Sequence, residues 1–236
     1  MAADAAGEHD RRWSVARFYL VERDALFARI REDRDLPRLL WHMTGVSTIS
    51  GALYGLTVGI YAGGWQPLYN AVKFPGMLLA TLALCVLALY MLSSLLGGRL
   101  SLRQVAAMVL SAILVTTVLL LSLTPPLGFL MLTSDRNYPL TVFVNLVAIV
   151  IAGAAGARFA LQATAAVHAD DDELRARAVR LMKAWMLLYG LVGMQMLWLF
   201  RPYFRETEVF IRPIGEGGSA FAAFGNLVVS VVRSLL

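Results

Sequence analysis

Long apolar segments alternate with short polar ones along most of the chain. The apolar segments run roughly over 42–62, 75–97, 104–124, 139–165 and 181–200. Each is close to the ~20 residues that a helix needs to cross a bilayer. Prolines are tolerated at helix starts and beyond helix ends, and several fall near the predicted boundaries: Pro67, Pro75, Pro125, Pro126, Pro139 and Pro202. The pattern predicts an all-α, polytopic transmembrane helix bundle of five spans.

The ends of the chain differ from this bundle. Residues 1–41 are polar, and we expect a cytoplasmic segment there, followed by the bundle over 42–200 and a C-terminal tail over 201–236. The end of the tail, "SAFAAFGNLVVSVVRSLL", is apolar but short and contains Asn226 and Arg233. It is compatible with a sixth span and equally with an interfacial or re-entrant helix.

The N-terminal segment has a helical period. Its apolar residues fall on one arc of a helix, and most of its charges lie on the opposite side. This predicts an amphipathic helix that either docks a partner or lies on the cytoplasmic leaflet. The arc consists of Trp13, Ala16, Tyr19, Leu20, Leu26, Phe27 and Ile30.

Composition and charge agree with a membrane protein. Hydrophobic residues make up 58% of the chain and charged residues 16%, with a mean hydropathy of +0.66. The net charge is +5, but residues 1–41 are neutral, with eight Arg against eight acidic residues. The excess lies beside apolar segments, which is typical of helix ends at anionic lipid and not of a nucleic-acid-binding protein. The loop arginines place the N-terminus in the cytoplasm, and the Ala- and Arg-rich composition suggests a bacterial inner membrane.

The first apolar segment carries small residues at every fourth position. Such a row lets another helix approach closely in lipid, where hydrophobicity alone gives helices little reason to associate. We expect these residues to form a helix-packing interface, either within one chain, where the two small-residue patches would receive each other, or between copies in an oligomer. The row is Ser47, Gly51, Gly55, Gly59 and Gly63, and a second small patch contains Gly153 and Gly156.

Candidate chemistry is sparse. All sixteen acidic residues lie outside the five predicted spans. The stretch "HADDDEL" at 168–174 resembles a metal site less than a helix start, in which Asp170 would cap the helix and Glu173 would occupy its first turn. We recognise no catalytic motif and predict no enzyme activity, no metal and no cofactor.

Aromatic and basic residues meet after the fifth predicted span, in "MLWLFRPYFRE" at 196–206. They are typical of an aromatic belt at the membrane boundary. They also suit contact with a partner or with lipid. The candidate contact residues are Trp198, Arg201 and Arg205 here, with Trp13 and Phe27 in the N-terminal helix.

The centre of the chain resembles bacterial members of the Yip-domain family of multi-spanning proteins. The resemblance rests on "AVKFPGMLLATLALCVLALYMLSSLLGGRLSLRQ" (71–104), "LLSLTPPLGFLML" (120–132) and "VNLVAIVIAGAAGARFAL" (144–161). It implies a five-span protein with a cytoplasmic N-terminus, related to trafficking adaptors without catalytic residues. The acidic-Leu-Tyr-Gly-Pro motif of those relatives is absent, so no functional residue is carried over.

Together these features predict a non-enzymatic inner-membrane protein that acts as a scaffold or accessory subunit of a membrane complex. Its partners would be membrane lipids and either other proteins or its own copies. The alternative is a small homo-oligomeric channel or transport component, because rows of glycine also allow tight packing around a pore.

Overall fold

Helices account for nearly all of the chain that the computed structural model describes, which comprises residues 23–95, 97, 100–133, 138–200 and 203. No strand occurs in these ranges. The all-helical architecture predicted from the sequence is therefore confirmed. The helices are α1 (Arg23–Arg31), α2 (Leu36–Ala62), α3 (Gln66–Leu95), α4 (Leu102–Thr133), α5 (Tyr138–Val167) and α6 (Asp172–Leu199).

Four of these helices, α2 to α5, are long and apolar enough to cross a membrane. The fifth predicted span falls in α6, which begins with charged residues and carries Lys183 and Gln195 in its apolar part. These polar residues lower its hydropathy below that of the other four. The count of five spans therefore stays a prediction, and the C-terminal segment at 219–236 lies outside the described residues.

Two helices extend beyond the ends that prolines had suggested. Helix α3 begins at Gln66, before Pro75, and α4 continues through Pro125 and Pro126 to Thr133. The predicted boundaries at 75 and 124 are therefore wrong as helix ends. A proline removes one backbone hydrogen bond, but a packed membrane helix tolerates this loss because leaving the helix would expose many more polar groups to lipid. Pro75 is also buried against α2.

Helix α4 lies in the middle of the bundle. It contacts α2 on one side and α5 on the other, and it also touches α3. Helix α6 completes the arrangement by packing against α3 and α5. Several polar bonds tie these helices together, since Trp185 Nε1 donates to the carbonyl of Cys85 at 2.8 Å and the Tyr189 hydroxyl donates to the carbonyl of Leu78 at 3.2 Å.

Helix α1 is docked on the bundle through its apolar face. Leu26, Phe27 and Ile30 are buried, and the ring of Phe27 lies 5.2 Å from that of Phe159 in α5. The side chain of Gln104 donates to the last carbonyls of α1, Ile30 O at 2.9 Å and Arg31 O at 3.0 Å. The same side chain accepts from Ser101 N, so one residue caps the end of α1 and the start of α4.

The predicted helix start at 170–173 is shifted by one residue. Asp171, not Asp170, caps α6, because its carboxylate accepts from Leu174 N at 2.9 Å. Asp170 instead pairs with Arg31 at the end of α1, at 3.6 Å. Glu173 pairs with Arg177, four residues further along α6, at 2.8 Å. Glu173 lies in the first turn of α6 as predicted, but two residues after the cap instead of three, and Arg31 of α1 engages Asp170.

Candidate functional site

The glycine row of α2 lies against α3. A Cβ on Gly51 would lie 3.5 Å from Pro75 Cβ, which is ordinary contact. A Cβ on Gly55 would collide with the carbonyl oxygen of Asn70, and one on Gly59 would lie 2.6 Å from Gln66 O and collide with Pro67. The backbones of α2 and α3 therefore approach more closely than any side chain at 55 or 59 would allow.

The two ends of the predicted row, Ser47 and Gly63, flank this contact along the chain. Ser47 is buried, and its hydroxyl oxygen has no hydrogen-bond partner among the described residues. Gly63 follows α2 with a φ of 82°, a conformation that favours glycine, and its amide donates to Gly59 O. The α2–α3 turn is thus built from the last glycine of the row.

The second small patch packs elsewhere. A Cβ on Gly156 would collide with the Thr116 hydroxyl and lie 2.5 Å from Ala112 O, both in α4, whereas Gly153 has open space beside it. The glycines of α2 and α5 therefore do not face each other, contrary to the interpretation that the two patches receive each other. Each instead contacts the helix next to it in the chain.

The close α2–α3 contact buries a polar face of α3. Gln66, Asn70 and Lys73 recur at i, i+4 and i+7 and are each at most 1% exposed. Trp65, immediately before α3, is 67% exposed, as expected for an aromatic residue at the membrane surface. Lys73 lies eight residues further on, or about 12 Å along a helix axis.

The ammonium group of Lys73 lies near two aromatic rings. It lies 5.7 Å from the ring centroid of Tyr69 and 5.9 Å from that of Tyr203, distances typical of cation–π contacts. Asn70 Nδ2 donates to the carbonyl of Tyr203 at 2.7 Å. The Tyr203 hydroxyl donates to Met77 Sδ at 3.6 Å. We call Lys73, Asn70, Tyr69 and Tyr203 the lysine cluster; it holds Tyr203, four residues beyond the end of α6, against α3.

A second buried polar connection joins α2 to α5. The Tyr54 hydroxyl donates to Asn145 Oδ1 at 3.0 Å, and Asn145 Nδ2 donates to Thr141 O at 2.8 Å. The ring of Tyr54 also packs against Phe74, with centroids 4.8 Å apart. Because Phe74 follows Lys73, this connection borders the lysine cluster. These buried polar side chains thus link α2 to α5.

The predicted contact residues are dispersed. Phe27 is buried inside the chain, and Trp198 is half-buried in α6. Trp13, Arg201 and Arg205 lie outside the described residues. Lys73 was not singled out from the sequence. The spacing of Gln66, Asn70 and Lys73 was the available signal, since it places three polar side chains on one helical face.

Within the described ranges, no group of three or more His, Cys, Asp or Glu side chains is placed to hold a metal ion. Comparison of the chain with protein-family models, with curated proteins and with solved structures found no match. The resemblance to Yip-domain proteins therefore stays a prediction. The described residues thus contain four helices that are long and apolar enough to cross a membrane, and a buried lysine cluster.

Proposed function

We propose that this protein is a non-enzymatic scaffold or accessory subunit of a membrane complex. The observation that supports this role is the outer face of α6, formed by Leu187, Gly190, Leu191, Met194 and Gln195. All five are exposed in the chain and recur at i, i+3, i+4, i+7 and i+8, so they share one helical face.

This face combines three properties. Leu187 is 73% exposed, Gly190 has no neighbouring atom within 4 Å of a Cβ position, and Gln195 presents an amide on an otherwise apolar surface. Lipid tails offer that amide no hydrogen bond, while a neighbouring helix does. A glycine on the same face lets that helix come close. We therefore expect the transmembrane helix of a partner protein to occupy this face.

Site-specific photocrosslinking tests the proposal. A photoreactive phenylalanine analogue is placed at Leu191, and a matched one at Leu87, an exposed residue of α3. In cells, position 191 is expected to crosslink to one defined protein, and position 87 to lipid only. Gln195→Leu is expected to reduce the protein crosslink. Lipid crosslinks alone at both positions would contradict a scaffold role for α6.

A transport component is the second candidate, favoured by Lys73. A charged side chain deep inside a membrane-spanning helix is costly and is usually kept for function. The test is ion and solute flux in vesicles containing the purified protein, with Lys73→Met compared with Lys183→Met, an exposed residue of α6. Flux that only Lys73→Met removes would support transport, whereas absence of flux in the unaltered protein would count against it.

The same proposal includes a location and an orientation. The Lys and Arg bias between the loops supports a bacterial inner membrane with the N-terminus in the cytoplasm. Labelling of single cysteines in intact cells tests this orientation. With the native Cys85 replaced by Ala, a cysteine at Trp65 is expected to react with an impermeant maleimide. A cysteine at Arg103 is expected to react only after lysis.

A further inference from the structure

The outer face of α6 continues toward the start of the helix as a basic surface. At about 100° per residue, Arg180 and Lys183 fall on the same side of α6 as Leu187. Both side chains are exposed, and so is Ala184, which lies between them and Leu187. A helix that packs on the outer face of α6 and continues in the same direction therefore covers both cations.

No acidic side chain lies close to these cations along α6 or on the helices packed against it. The nearest one along α6 is Glu173, which lies seven residues before Arg180, or about 10 Å along the axis, and pairs with Arg177. Helices α3 and α5, which pack against α6, contain no Asp or Glu. Within the described residues, neither Arg180 nor Lys183 forms an ion pair. Neither their own helix nor its neighbours balance the two charges.

Arg180 lies near one boundary of the apolar part of α6. It precedes Leu199, the last residue of the helix, by 19 residues, which is about 28 Å along the axis and close to the thickness of the hydrocarbon core. Lys183 lies about 5 Å further in and can extend its ammonium toward the same boundary. Beside lipid head groups and water both charges stay solvated, but under a packed helix they lose that solvation. Such a loss is costly unless opposite charges pair with them.

We propose that the partner helix on the outer face of α6 carries acidic side chains that pair with Arg180 and Lys183. The inference rests on the proposed scaffold role, which supplies the partner helix, and adds the chemistry of that partner. Lys183 and Arg180 precede Gln195 by 12 and 15 residues, or about 18 and 22 Å. The partner is therefore a transmembrane protein with carboxylates on the α1 side of the membrane and, about 18–22 Å from them, a side chain that hydrogen-bonds Gln195.

Photocrosslinking from Ala184 tests this chemistry. A photoreactive phenylalanine analogue at this position is expected to trap the same protein as the analogue at Leu191. Peptide mapping is expected to place an Asp or Glu of that protein within one helical turn of the attachment point. Arg180→Gln combined with Lys183→Gln is expected to lower the yield of the Leu191 crosslink about fivefold, the size expected for two ion pairs near a protein surface.

The matched control is Arg103→Gln combined with Arg175→Gln, which removes the same charge from the same side of the membrane. Arg175 lies about 140° around α6 from Arg180, and Arg103 is an exposed residue at the start of α4. The Leu191 crosslink is therefore expected to persist in the control. An equal loss in both double variants would show that general charge, not this surface, holds the partner, and would overturn the inference.

Exchange of charges separates this inference from the scaffold role. Arg180→Glu combined with Lys183→Glu is expected to abolish the Leu191 crosslink, and lysines at the mapped carboxylates of the partner are expected to restore it. A protein trapped at Leu191 with lipid alone at Ala184, or a mapped peptide without Asp or Glu, would overturn the acidic partner and leave the scaffold role standing. Lipid alone at Leu191 would overturn both.

Discussion

The carbonyl oxygen of Asn70 occupies the space where any residue larger than glycine at position 55 would carry its Cβ. Asn70 is also the residue whose amide holds Tyr203. The close backbone contact between α2 and α3 and one polar contact of the lysine cluster therefore involve the same residue of α3. We therefore expect substitutions in the glycine row to alter the contacts of the lysine cluster.

Gly55→Ala and Gly59→Ala are each expected to destabilise the bundle by about 1–3 kcal/mol, because overpacking forces α2 away from α3. The matched control is Gly45→Ala in the same helix, where a Cβ meets nothing within 4 Å. That change is expected to leave stability unchanged or to raise it by up to about 1 kcal/mol, since alanine favours helix. Unfolding in mixed micelles, followed by circular dichroism, measures the difference. Equal behaviour of all three variants would contradict the close contact.

Gly156→Ala is expected to separate α5 from α4. Its Cβ would collide with the Thr116 hydroxyl and press on Ala112 O. We expect a loss of about 1–3 kcal/mol, while Gly153→Ala, one turn earlier with open space beside it, should be tolerated. The apparent Tm in detergent distinguishes the two. If Gly153→Ala were as unstable as Gly156→Ala, the face of α5 that carries Gly156 would not be the one that contacts α4.

Tyr54→Phe removes the hydroxyl that donates to Asn145 and leaves the buried amide oxygen of Asn145 without this donor. The expected loss is about 1–2 kcal/mol, the range for hydrogen bonds between membrane helices and for a buried group left unsatisfied. Tyr61→Phe, in the same helix and only half-buried, is the control. Chemical denaturation in micelles provides the measurement. A Tyr54→Phe protein as stable as the control would mean that this bond contributes nothing net.

Gln104→Ala removes the side chain that bonds both the end of α1 and the start of α4. Two such bonds contribute about 1–2 kcal/mol, so amide hydrogen exchange in α1 is expected to accelerate about tenfold. The exposed neighbour Arg103→Ala should leave this exchange unchanged. Exchange followed by mass spectrometry resolves α1 peptides from those of α4. Unaltered protection of α1 would show that its apolar face alone holds it.

Much of this fold follows from the sequence. The apolar segments locate the cores of α2 to α5, because an apolar stretch long enough to cross a bilayer satisfies its backbone hydrogen bonds best as a helix. Helix ends were less predictable, since Pro75 and Pro125 mark boundaries in isolated helices but lie inside packed ones. The spacing of Gly51, Gly55 and Gly59 indicated a close contact, yet it could not identify α3 as the partner, because pairing depends on the whole arrangement of helices.

The site was harder to predict for the same reason. A lysine near the end of an apolar segment is usually exposed at the membrane surface. The burial of Lys73 depends on the approach of α2 and on Tyr203, which is 130 residues away in the sequence. Such long-range contacts leave no local signal beyond the shared helical face of Gln66, Asn70 and Lys73.

The central position of α4 bears on how the chain is assembled in the membrane. Helices α2 and α3 are neighbours joined by a short glycine turn, so their contact closes a small loop and can form as soon as both have entered the bilayer. Helix α4 then meets a finished hairpin on one side and offers its other side to α5. Helix α4 docks mainly on α2, and α6 docks on α3 and α5, so each later helix finds its contacts on helices that precede it in the chain and not only on the one directly before it.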